Sequence, residues 1–85
     1  MENSGYHTTK IEKGELGIIS KIFEELHELQ DAEKQNCKIM ALVELSDLYG
    51  AIELYLEKNF PDTTMNDLKQ MSNITKRAFK NGHRI

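Results

Sequence analysis

The stretch KIMALVELSDLYGAIELYLEKN, residues 38–59, decides the fold. Wound at about 100° per residue, it gives a helix with one broad apolar arc. Met40, Val43, Ala51 and Leu54 flank Glu44 on one side, and Ala41, Leu45, Leu48, Ile52 and Tyr55 flank it on the other. Asp47 falls among the first group, about 60° from Glu44. The expected polar strip is elsewhere, at Ser46, Gly50, Glu53 and Glu57. Two carboxylates therefore point where a core should be. Burying an unpaired carboxylate costs several kcal/mol, so a proton, a base or a cation has to offset it.

Outward from this helix, two more segments carry helical periodicity. From about Glu15 to Gln35, the apolar residues Leu16, Ile19, Ile22, Phe23, Leu26 and Leu29 recur at helical spacing, with Gly14 before them and Gln35-Asn36 as the stop. Pro61 ends the central helix, because it lacks an N–H and restricts the residue before it. A third helix starts near Thr64, where Thr64-x-x-Asp67 resembles a capping box, and Gly82 is the expected stop. Residues 1–13 show no periodicity and read as an extended or flexible lead-in to a single helical domain over 14–85. The class is all-α: a small bundle of three main helices. A chain of 85 residues buries a modest fraction of its surface, so homo-oligomerisation is the natural way to complete the core.

Composition narrows the function. Hydrophobic residues make up 39% of the chain and charged residues 29%, as expected of a globular domain. The net charge of −3 hides an asymmetry. Residues 1–75 hold 7 Lys and Arg against 14 Asp and Glu, whereas KRAFKNGHRI, residues 76–85, holds four bases and no acid. An acidic body with a short basic end argues against specific nucleic-acid binding, which needs a wide basic surface. Cys37 is the only cysteine, so no intrachain disulfide forms and a Cys-based zinc site is not expected. The polar start MENSGYHTTK lacks the apolar run of a signal peptide, and acids interrupt the most apolar segment, so a cytoplasmic protein with no membrane span is expected.

The first helix carries its own acids in FEELHEL. Glu24, Glu25 and Glu28 lie within about 100° of arc, bordering the apolar stripe, where one Lys21 cannot balance them. A solvated acidic face is the ordinary reading of such a run. The central helix changes it. Both helices carry carboxylates three apart, Glu25/Glu28 and Glu44/Asp47, and a hairpin turning near Asn36 brings the two pairs level. Four or five carboxylates then converge on one small volume, which is stable only with protons or cations. Oxygen-only ligation suits Mg²⁺, with Mn²⁺ as a substitute.

Glu24-Glu25-x-x-Glu28 followed by Glu44-x-x-Asp47 resembles the EExxE…ExxD signature of the MazG-like all-α nucleotide pyrophosphohydrolase superfamily. KGELGIISKIFEELHELQDA and IMALVELSDLYGAIELYL are most similar to its small phage-type members, over roughly residues 10–85. The resemblance implies Mg²⁺-dependent hydrolysis of a nucleoside triphosphate between the α and β phosphates, giving a monophosphate and pyrophosphate. It implies Glu25, Glu28, Glu44 and Asp47 as metal ligands. Glu24 and Glu25 fall in the catalytic part of the motif, Glu24 orienting or deprotonating the water or holding a second ion. It also implies a homodimer or homotetramer.

At the basic end, Lys76 and Lys80 share a face and are candidates for substrate phosphate; Arg77 and Arg84 are weaker ones. The ordinary reading is a favourable charge–dipole arrangement at a helix C-terminus. Tyr6 and His7 on the lead-in could close over a nucleotide, against the simpler reading of an unstructured tail. Two further readings compete. Glu24-x-x-His27 spells the ExxH pair of carboxylate-bridged di-iron bundles, but His27 points about 105° from the acidic patch. The other is a non-catalytic helical interaction protein that retains the same fold.

Overall fold

The computed structural model describes residues 7–81. Among these residues there are three helices and no strand: α1 (Ile19–Lys34), α2 (Lys38–Asn59) and α3 (Met65–Lys80). Gly82, Tyr6 and Arg84 lie outside the described residues. No described helix is long and apolar enough to cross a membrane.

The α1–α2 corner is built locally. Asn36 takes a positive φ of 59°, its N–H donates to Glu33 O at 2.9 Å, and Cys37 N–H donates to Ala32 O at 3.2 Å. These two bonds close a Schellman motif, which Asn tolerates because its left-handed form costs less than that of most residues. At the far end, Phe60 N–H still bonds Leu56 O at 2.8 Å before Pro61 breaks the pattern. Thr64 caps α3 in full: its hydroxyl accepts from Asp67 N–H at 3.1 Å, and the Asp67 carboxylate accepts from Thr64 N–H at 3.0 Å.

α1 begins at Ile19, four residues later than the periodicity suggests. The cause is Gly17, whose φ of 88° is left-handed, and Gly14, where a Cβ would lie 2.2 Å from Ser20 O. Glu15 N–H donates to Ser20 Oγ at 3.0 Å, so the chain folds back on the first helical turn instead of joining it. Asn59 Nδ2 donates to Gly17 O at 3.1 Å, tying the end of α2 to the entry of α1. The two helices are thus an antiparallel pair that packs along its length, whereas α3 makes only sparse contact with this pair.

The packed interface is unusual. Its buried apolar residues are Ala32, Ala51 and Leu56, while Glu24, Glu25, Asp31 and Glu44 are buried beside them. The apolar stripe of α1 does not supply the core: Leu16, Ile19, Phe23 and Leu26 are exposed, as are Ile39, Leu42 and Tyr49 on α2. On α1 the acids Glu24, Glu25 and Asp31 are buried with Ala32, Ile22 and Leu29 are half-buried, and Ile19, Phe23 and Leu26 face out.

Candidate metal centre

Glu25, Glu28, Glu44 and Asp47 each offer a carboxylate oxygen, and the four lie within 4.8 Å of one another. The hairpin turn at Asn36 sets the register that makes this possible, since the paired acids on α1 and α2 sit at matching heights. Glu44 is 4% exposed, as its place in the apolar arc requires. Asp47 differs from expectation. It is exposed and lies at the rim, reaching the cluster with its carboxylate instead of pointing inward as Glu44 does.

Electrostatics follow from the crowding. Half-burial of Glu28, together with the charge of Glu25 and contacts to Glu25 and Glu44, pushes its pKa up to about 8. The Asp47 carboxyl is also raised, by desolvation and then by the charges of Glu25 and Glu44. Lys21 is the local counter-charge, at 3.1 Å from both Glu24 Oε1 and Glu25 Oε2. Burial opposes its charge, but these two carboxylates win and raise its pKa. The other oxygen of Glu25, Oε1, is buried and receives no hydrogen bond from the described residues. An orphaned buried carboxylate oxygen in an oxygen-only set fits a hard divalent cation.

Glu24 stands apart from this set. Gly14 N–H donates to its Oε1 at 2.8 Å, Lys21 lies on the same oxygen, and Lys13 Nζ is 3.7 Å from Oε2. Burial would raise its pKa, but the Gly14 N–H and the two lysines hold it below the ordinary value. Its carboxylate anchors the lead-in to α1. Lys76 and Lys80 are exposed on α3, and neither makes an ion pair with the described residues. His27 is exposed and stacks on Phe23 with ring centroids 6.3 Å apart, outside the acidic cluster.

Two residues that the periodicity leaves out belong here. Asp31, 2% exposed, accepts hydrogen bonds from Thr8 Oγ1 at 2.6 Å, Thr8 N–H at 3.0 Å and Gln35 Nε2 at 2.9 Å. Its Oδ2 also lies 2.8 Å from His7 Nδ1. Burial opposes ionisation, but these partners hold Asp31 well below the usual carboxylate range. His7 Nε2 in turn lies 3.4 Å from Glu44 Oε2. Residues 7–14 therefore run back along α1, pinned at Asp31 and at Glu24. Helical spacing places Asp31 on the Glu24/Glu28 face; His7 stands in the sequence only as a residue that could close over a nucleotide, with no signal that pairs it with Asp31 or Glu44. Compared with protein-family models, curated proteins and solved structures, the chain finds no match.

Proposed function

We propose that this protein is a Mg²⁺-dependent nucleoside triphosphate pyrophosphohydrolase of MazG-like type, cleaving between the α and β phosphates in the cytoplasm, with Mn²⁺ as a substitute ion. The observation that carries the proposal is the convergence of Glu25, Glu28, Glu44 and Asp47 from two helices, at the cost of burying charge where apolar side chains were available. A divalent cation held by these four acids supplies Lewis-acid polarisation of the phosphates and a more acidic water.

The chain's own residues divide the remaining work. Lys21 holds Glu25 by Oε2, so Oε1 is its one oxygen left either to hold the cation or to accept a proton from an attacking water. Glu24, occupied by Gly14 and two lysines, fixes the lead-in and orients Lys21; this favours Glu25 over Glu24 as the base. Glu28 holds a proton when no cation is present and gives it up when one binds. Lys76 and Lys80 are proposed phosphate contacts, and the exposed apolar residues of α1 and α2 are proposed to be covered by further copies of the chain, as a homodimer or homotetramer.

The test is pyrophosphate release from a panel of ribo- and deoxynucleoside triphosphates with Mg²⁺, run beside Glu44→Gln. The expected result is turnover in the native protein that falls at least a thousand-fold in the variant, roughly 4 kcal/mol in the barrier. Release of inorganic phosphate would put the cleavage at another bond. Mg²⁺-dependent stabilisation without turnover would favour a binding protein on the same fold.

A further inference from the structure

We infer that His7, Glu28 and Glu44 form a second cation position beside the four-carboxylate set, which takes a first-row transition-metal dication through an imidazole nitrogen. It rests on the reading of the carboxylate cluster as a cation site, and adds a different ion to it.

The geometry has three parts. The donor atoms of His7, Glu28 and Glu44 all lie within 4.8 Å of one another, and His7 Nε2 is 3.4 Å from Glu44 Oε2. On the opposite side of the ring, Nδ1 is 2.8 Å from Asp31 Oδ2. Asp31 is almost fully buried and multiply hydrogen-bonded, and its carboxylate is placed to accept a hydrogen bond from Nδ1, the arrangement that would leave Nε2 as the ligand nitrogen facing Glu44. A carboxylate behind a histidine, orienting it toward a cation, is the usual way a protein fixes a metal-binding imidazole. With Nδ1 against Asp31, the Nε2 edge of the ring is the one that faces Glu44.

Glu28 and Glu44 belong to both sets, and the buried Glu25 Oε1 beside them has no hydrogen-bond partner among the described residues. That orphaned oxygen points to a cation independently of His7. The two positions differ in chemistry. Four oxygens suit Mg²⁺, which is a poor partner for nitrogen; one imidazole and two carboxylates suit Zn²⁺, Mn²⁺ or Fe²⁺. The lead-in segment is then part of the centre, since the Asp31 anchor through Thr8 and His7 delivers a ligand across 24 residues of sequence.

The experiment titrates the full chain with Zn²⁺ and, separately, Mg²⁺. It follows heat of binding and the ¹⁵N resonances of the His7 ring, assigned through the backbone. The expected outcome is that Zn²⁺ shifts the His7 Nε2 resonance and Mg²⁺ does not. His7→Gln should weaken Zn²⁺ binding roughly ten-fold or more and leave Mg²⁺ binding within about two-fold. Zn²⁺ binding with an unmoved His7 ring would overturn the proposal and leave the ion to the carboxylates alone. So would Mg²⁺ binding with no Zn²⁺ binding. If the native chain binds neither ion, the carboxylate reading falls with it.

Discussion

Glu28 governs how this protein responds to pH. Its carboxyl titrates near pH 8 in the folded chain and near its ordinary value of 4.5 when unfolded, so the folded state holds a proton across that window. Stability without divalent ions therefore falls as pH rises from about 4.5 through about 8. Glu24 and Asp31 act in the opposite sense. Their pKa values are depressed on folding, so their contribution is present above the unfolded values and lost as the solution is acidified through the folded ones. Urea unfolding with a chelator should show both flanks, and Mg²⁺ should remove the alkaline one. A related outcome concerns the cluster itself. Above about pH 8, where Glu28 is charged, Glu28→Gln removes one repelling charge and should raise the midpoint of thermal unfolding in chelator, by about 4–8 °C if the relief is about 1 kcal/mol. The same variant should lose the Mg²⁺-dependent rise seen in the native chain.

At the scale of elements, the hairpin and α3 differ in what holds them. α1 and α2 are joined by the Schellman turn at Asn36 and by Asn59 reaching Gly17, so their register rests on contacts at both ends. α3 has a complete capping box but little packing, so its helicity rests on local terms to an unusual degree. Thr64→Ala should cost about 1 kcal/mol of α3 stability. Because α3 packs so little, the loss should appear as reduced helical circular dichroism before the main unfolding transition, with α1–α2 unfolding unchanged. Coincident transitions in native and variant protein would mean that α3 is bound more firmly than its contacts suggest. The sequence marked this element well: the Thr64-x-x-Asp67 spacing, the limits of α2 and the break at Asn36 are all local signals. The start of α1 was not legible, because Gly17 takes its left-handed φ beside Lys58 and under the hydrogen bond from Asn59, 42 residues away.

For the whole molecule, the described chain is too open to be a finished core. Its radius of gyration is 15.0 Å, against about 12 Å for a compact domain of this length. Ile39, Leu42 and Tyr49 recur along one exposed strip of α2, and Met71, Ile74 and Phe79 are exposed on α3. Apolar surface of that extent is normally covered by a partner. Sedimentation equilibrium should find a dimer or tetramer. Leu42→Glu, at a site 69% exposed in the single chain, should dissociate it and lower thermal stability, an effect a solvated residue would not produce. A monodisperse monomer with unchanged stability in the variant would remove the oligomer from the proposal.

The sequence by itself determined three helices and the pairing of Glu25 and Glu28 with Glu44 and Asp47, because helical spacing and a single hairpin turn fix which acids share a level. Tertiary structure decided the rest. Periodicity ranks faces by hydrophobicity, and on α1 it picks the Ile19–Phe23–Leu26 stripe as the core. The fold instead turns the acids inward, where Lys21 and the backbone of Gly14 receive two of them and His7 and Thr8 receive Asp31. A buried carboxylate is tolerated only where such partners converge. Gly14, His7 and Thr8 belong to a lead-in segment that has no periodicity of its own, so only the folded chain shows that it joins Asp31 and His7 to the acidic cluster.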